Sequence, residues 1–83
     1  MTAQEHNKML ERITSNPNVL QGQPCIRNLR IPVGTILDSL AEGMTEDEIL
    51  RELPVLERED IHAALAYAGC RVREEIMPLP ASA

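Results

Sequence analysis

The hydrophobic residues in the middle of the chain follow a helical spacing. After Pro32, whose fixed φ suits the first turn of a helix, apolar residues fall at i, i+3, i+4 and i+7: Val33, Ile36, Leu37 and Leu40. Gly43 follows as the expected left-handed residue at the helix end, with Met44 turning back over the last turn. The pattern predicts one amphipathic helix from Pro32 to about Gly43.

A second, shorter helix is indicated by its start signal. Thr45 and Glu48 have the Thr-x-x-Glu spacing of a capping box, and Met44 and Ile49 occupy the positions of a hydrophobic staple. Pro54 cannot continue a helix, so the segment ends before it. We expect about eight helical residues that are stable only when packed against their neighbours.

The third helix of this body is longer and is apolar on two sides. Its first turn carries acids that suit the positive end of the helix dipole: Glu57, Glu59 and Asp60. Its predicted core stripe comprises Ile61, Ala64, Leu65, Ala68, Val72 and Ile76. The other side, which we take as a candidate partner or dimer interface, comprises Ala63, Ala66, Tyr67 and Cys70. Either the N-terminal hairpin or another subunit must cover it, and we expect a homodimer.

The N-terminal third has a different pattern. Between residues 11 and 31, short apolar clusters alternate with turn signals at 16–18, Gly22 and Asn28, which predicts two or three short strands. Asn28 is expected in a left-handed conformation. Before them, Thr2 and Glu5 have capping-box spacing and indicate a short helix toward Leu10.

The 83 residues therefore predict a single, mainly α domain. It consists of a β element at 11–31, a three-helix, homeodomain-like (helix-turn-helix) body at 32–77 and a loose tail at 78–83. No apolar run reaches the roughly 20 residues of a membrane span, and the N-terminus lacks a signal-peptide pattern, so we expect a cytoplasmic protein that is not bound to membranes.

Residues with catalytic potential form no recognisable motif. His6 and His62 lack partners at metal-ligand spacing, and the four glycines are isolated rather than grouped in a phosphate-binding loop. Cys25 and Cys70 are interpreted as small buried hydrophobic residues. We therefore predict a binding protein rather than an enzyme, with no cofactor and no metal.

Charge is distributed unevenly along the chain, whose net charge is -5. Residues 45–62 hold seven acids and two bases, whereas residues 1–31 hold two acids and four bases. Because phosphate contacts dominate DNA affinity, the acidic segment argues against a third helix that reads DNA unaided. If DNA is bound, the expected contacts are Arg27, Arg30, Arg51 and Arg58. The alternative is that these arginines form ordinary surface ion pairs.

Several segments, spaced as they are here, resemble a bacterial family, the domain of unknown function 433 family. They are residues 22–27 (Gly-Gln-Pro-Cys-Ile-Arg), 30–33 (Arg-Ile-Pro-Val), Leu40, Gly43, Thr45, 48–50 (Glu-Ile-Leu), Pro54, Leu56, Asp60, Ile61, 63–65 (Ala-Ala-Leu), Tyr67 and Ala68. The resemblance covers about Arg12 to Ala68. Asn28 and Leu29 replace a usual Gly-Thr, and Glu57 replaces a capping Ser or Thr.

The resemblance implies a homeodomain-like three-helix fold after a small β element. It also implies an antitoxin-like protein that neutralises a cognate toxin-like partner, a PIN-like ribonuclease. A subordinate hypothesis is that the protein also binds operator DNA and regulates its own operon. The alternative hypothesis is a stand-alone helix-turn-helix transcriptional regulator. An acidic surface suits the first role, since it attracts a cationic RNA-binding cleft.

Overall fold

A two-stranded hairpin and four α-helices make up the part of the chain that the computed structural model describes, residues 2–74 and Leu79. The elements are α1 Ala3–Leu10, β1 Ile13–Thr14, a short 3-10 helix Leu20–Gly22, β2 Cys25–Ile26, α2 Val33–Ala41, α3 Glu46–Glu52 and α4 Arg58–Glu74. This confirms the predicted mainly α fold, with a hairpin before a three-helix body. Ile76, the predicted end of the body at 77 and the predicted tail, apart from Leu79, lie outside the described residues.

The hairpin pairs β1 with β2 in antiparallel register, with Ile13 opposite Ile26. The short helix α1 precedes it and begins as predicted, because the Thr2 hydroxyl accepts the Glu5 N–H at 3.1 Å. Asn28 has the predicted positive φ of 60°, and the adjacent Arg27 also lies in the left-handed region at 43°. This tight turn directs the chain back, so that Ile26 N–H donates to Ile31 C=O at 3.0 Å.

The start of α2 differs by one residue from the prediction. Pro32 has a ψ of 142° and pairs with Cys25 in an isolated antiparallel bridge, so the helix begins at Val33. Its end is as predicted: Gly43 has a φ of 98°, its N–H donates to Leu40, and Met44 N–H donates to Ser39 at 3.1 Å. These two bonds form a Schellman motif, which satisfies carbonyls at the helix end.

The predicted capping box opens α3. Thr45 Oγ1 accepts the Glu48 N–H at 3.1 Å, and the Glu48 carboxylate accepts the Thr45 N–H at 3.1 Å. The helix ends before Pro54, as expected. A short connection then leads to α4, which packs against α1, α2, α3 and β1.

The core contains side chains from the hairpin, from all three helices of the body and from the connection before α4: Ile26, Val33, Ile36, Ile49, Leu56, Ile61 and Ala64. Ile61 and Ala64 confirm part of the predicted stripe of α4. Leu65 and Val72 do not belong to it, because they are 47% and 73% exposed. The prediction placed the core side of α4 too far around the helix, since it gave Asp60 no packing role and assigned Ala63 and Tyr67 to the second apolar side.

Helix α1 explains this difference. It packs on α4, and His6 Nε2 lies 3.7 Å from Cys70 Sγ. The side of α4 that carries Ala63 and Cys70 is therefore covered within the chain. Ala63 is fully buried and offers no surface to a second subunit, so its assignment to a partner interface is corrected.

Candidate functional site

A buried carboxylate lies where α4 meets the hairpin. Asp60 is in the first turn of α4 and its side chain is 0% exposed. One of its oxygens accepts the backbone N–H of Glu57, the residue before the helix, at 2.8 Å. Asp60 thus satisfies one of the free N–H groups at the helix start. A Ser or Thr at position 57 would satisfy another of them.

Two arginines from the N-terminal region converge on this carboxylate. Arg27 donates from Nε to Oδ1 at 3.0 Å and from Nη2 to Oδ2 at 2.8 Å, and its Nη2 also donates to the Val55 carbonyl at 3.0 Å. Arg12 donates from Nη1 to Asp60 Oδ1 at 2.9 Å and to Glu57 Oε1 at 2.7 Å. We call the set Arg12, Arg27, Glu57 and Asp60 the ionic clamp.

The backbone positions both guanidinium groups of the ionic clamp. Arg27 N–H donates to Arg12 C=O at 2.8 Å, which continues the strand pairing by one step and sets the two side chains next to each other. The left-handed conformation of Arg27 then directs the chain away from the sheet. Arg27 therefore reaches the first turn of α4, while Ile26 stays in the core.

The two positive charges of the ionic clamp face two negative charges. Burial raises the pKa of Asp60, but hydrogen bonds from Arg27, from the Glu57 N–H and from Arg12 outweigh it, and the pKa lies below its usual value. The four donors occupy the acceptor sites of the carboxylate, which has about four lone pairs. These contacts fasten the hairpin to the first turn of α4.

The sequence reading missed the ionic clamp. It assigned Asp60 to the helix dipole and Arg27 to DNA, and it gave Arg12 no role. An acid at the third position of a predicted helix is a signal for capping, but the two arginines lie 48 and 33 residues away along the chain. No local pattern joins them.

The four arginines predicted to contact DNA do not form one group. Arg27 belongs to the ionic clamp, and Arg58 pairs with Glu46 at 2.8 Å and with Asp47. Arg30 and Arg51 are exposed and make no ion pair within 4.0 Å among the described residues. The structure thus separates two arginines held by acids from two that face solvent.

The remaining residues of the predicted partner interface are half-buried: Ala66, Tyr67 and Cys70. Tyr67 and Cys70 line an open cleft of about 480 Å³ between α1, the hairpin and α4, together with Leu10 and Ile13. Among the residues that the structure describes, no three His, Cys, Asp or Glu side chains could hold a metal ion. In the same part of the chain, no helix has the length and apolar character to cross a membrane.

Comparisons with known proteins identify the family of the chain. It is 38% identical over 58 residues to the uncharacterized protein y4eO of Sinorhizobium fredii (strain NBRC 101917 / NGR234), a match that spans 70% of this chain and only 26% of that protein. The fold is similar to the crystal structure of a DUF433 member protein from Anabaena variabilis ATCC 29413, with a TM-score of 0.71 and 36% identity over 87% of this chain and 72% of that one. Residues 13–68 match the family described as "Protein of unknown function (DUF433)". The chain therefore belongs to the DUF433 family, in agreement with the resemblance seen in its sequence.

Proposed function

We propose that the chain is an antitoxin-like binding protein that neutralises a PIN-like ribonuclease. The partner class comes from the family resemblance. The observation that supports the role is the negative charge that remains unpaired on the surface. Three of the cations, Arg12, Arg27 and Arg58, form ion pairs with carboxylates of the chain itself. These three cations are held in internal ion pairs.

The acidic surface is concentrated on α3 and the first turn of α4. Glu52 and Glu59 are exposed and make no ion pair within 4.0 Å among the described residues. A ribonuclease needs a cationic cleft to bind RNA, and fixed acids steer such a cleft toward this surface and compete with RNA phosphates. The same acids repel DNA, which favours a protein partner.

Co-expression with the product of the neighbouring gene tests the proposal. We expect the two proteins to co-purify and ribonuclease activity to be suppressed in the complex. The double variant Glu52→Lys/Glu59→Lys should weaken binding about 10-fold or more at low salt. Glu11→Lys, which makes the same type of change at the end of α1, is the matched control and should bind normally. Failure to co-purify contradicts the proposal.

DNA binding, by an autoregulating antitoxin or a stand-alone regulator, is the second candidate, supported by the solvent-facing Arg30 and Arg51. A gel-shift assay with DNA from upstream of the chain's own gene, at two salt concentrations, tests it. We expect a shift at low salt that Arg30→Gln/Arg51→Gln weakens. No shift at low salt excludes autonomous DNA binding.

A further inference from the structure

Helix α1 packs on α4 without entering the core. None of its eight residues is buried, and none belongs to the core or to the half-buried hydrophobic residues that pack against it. Its most covered side chains, His6, Met9 and Leu10, are half-buried. Because buried apolar area is the main source of stability, α1 is held less firmly than the hairpin and the three helices of the body.

Polar contacts add little to this attachment. Among the described residues, one side-chain hydrogen bond joins α1 to another element, the contact of His6 Nε2 with Cys70 Sγ at 3.7 Å. Sulfur is a weak hydrogen-bonding partner. Glu5 and Lys8 are exposed and form no ion pair within the same part of the chain. A single weak contact is therefore the polar link between α1 and α4.

Open space borders α1 at two places. The cleft of about 480 Å³ described above reaches its last residue, Leu10. A smaller cleft of about 250 Å³ separates other α1 side chains from the first turn of α4, and it is lined by Glu5, Lys8, Met9, Arg12 and Glu59. Neither space is filled by packed side chains of the chain, so little packing opposes the departure of α1 from α4.

The chain becomes firmly held directly after α1. Glu11, the C-terminal cap of the helix, is exposed. The next residue, Arg12, donates to Asp60 and Glu57 in the ionic clamp, and its carbonyl accepts the N–H of Arg27 at 2.8 Å. The boundary between a weakly held and a strongly held segment therefore falls between residues 11 and 12.

We propose that α1 is a hinged cover, which leaves α4 as a unit about a hinge at Glu11 while the hairpin and the three-helix body stay folded. The closed form is the one described above. The open form exposes the second apolar side of α4, with Ala63, Tyr67 and Cys70. A helix of eight residues is marginal in water, so α1 unfolds when it leaves α4.

The hinged cover controls access to one side of α4. Any molecule that uses this side must displace α1 first, and its apparent affinity is lowered by the fraction of chains that are open. The contact between α1 and α4 is thus autoinhibitory. It does not depend on the nature of the partner, so it stands apart from the function proposed above.

The two free cysteines distinguish the opening of α1 from global unfolding. Cys25 is buried in the hairpin, whereas Cys70 is half-buried beside His6 of α1. Alkylation of the full chain by iodoacetamide, followed by mass spectrometry, measures the rate at each thiol. We expect Cys70 to react at least about 10-fold faster than Cys25 and with a weaker dependence on urea, because opening of α1 exposes less surface than global unfolding.

Two matched cap variants test the hinge. Thr2→Ala removes the acceptor of the Glu5 N–H and destabilises only the closed form, from which both kinds of opening start. It should accelerate alkylation of both cysteines about 5-fold. Thr45→Ala removes the same type of cap from α3, which stays folded in the open form. It should accelerate Cys25 by a similar factor and leave Cys70 unchanged.

Two results would overturn the hinged cover. Equal acceleration of both cysteines by Thr45→Ala means that Cys70 is reached by global unfolding. No effect of Thr2→Ala on Cys70 means that α1 does not control access to this side. Hydrogen exchange checks the same point without thiols: amides 7–10 of α1 should exchange at least about 10-fold faster than those in the middle of α2 and α4, and Thr45→Ala should not change their rates.

Discussion

Arg27 contacts both carboxylate oxygens of Asp60, from Nε at 3.0 Å and from Nη2 at 2.8 Å, although the residues are 33 positions apart in the chain. This two-point geometry is the strongest form of an arginine–carboxylate contact. It joins the turn after β2 to the first turn of α4. The ionic clamp therefore makes the N-terminal region part of the same cooperative unit as the three-helix body.

Loss of one member of the ionic clamp should destabilise the fold. Asp60→Asn leaves two guanidinium groups facing a neutral amide, and we expect a loss of about 3 kcal/mol in the free energy of unfolding. Arg27→Gln should cost less, since Arg27 is partly exposed and Arg12 remains. Urea denaturation measures both. Arg30→Gln, in the same turn but outside the ionic clamp, should change stability by less than about 0.5 kcal/mol.

The ionic clamp should also give the fold an acid-sensitive component. The pKa of Asp60 is lowered from its ordinary 3.8 in the folded chain, so its stabilising contribution is present above that value and is lost as the pH falls through the lower, folded pKa. The difference in Tm between the unmodified chain and Asp60→Asn should be constant from pH 5 to 7 and shrink below about pH 4. Thermal unfolding followed by circular dichroism measures it. A constant difference down to pH 2 would contradict the assignment.

The capping box of α3 should respond to the hydroxyl of Thr45. Thr45→Ala removes the acceptor for the Glu48 N–H and should cost about 1 kcal/mol, whereas Thr45→Ser should retain most of the stability. Thr35→Ala provides the control, since Thr35 is exposed within α2. Equal effects of the Ala substitutions at 45 and 35, measured by urea denaturation, would show that the cap contributes nothing.

Two glycines should respond to alanine with opposite signs. Gly43 has a φ of 98°, so Gly43→Ala forces an unfavourable backbone conformation and should destabilise the chain by about 1 kcal/mol. Gly34 lies inside α2, and a Cβ there meets nothing within 4 Å, so Gly34→Ala should stabilise by roughly 0.5–1 kcal/mol. Comparison of the two Tm values tests the conformational argument without any change in side-chain chemistry.

Local signals predicted most of the fold. The Thr45–Glu48 box, Gly43 and Asn28 each specify backbone geometry within a few residues, and each was found as expected. Burial on α4 was predicted less well, because the helix is apolar on two sides and only the packing of α1 decides which one is inside. Which side of α4 is buried depends on contacts between distant parts of the chain. The ionic clamp also depends on such contacts.

The long sequence separations in the ionic clamp have a kinetic consequence. Contacts within α2, α3 and α4 close short loops, whereas Arg12 and Asp60 are 48 residues apart and their contact closes most of the described chain. Such closure is expected late, after the three helices have assembled. Removing the ionic clamp should therefore accelerate unfolding much more than it slows folding, so the N-terminal hairpin governs the lifetime of the native state rather than the speed with which it is reached.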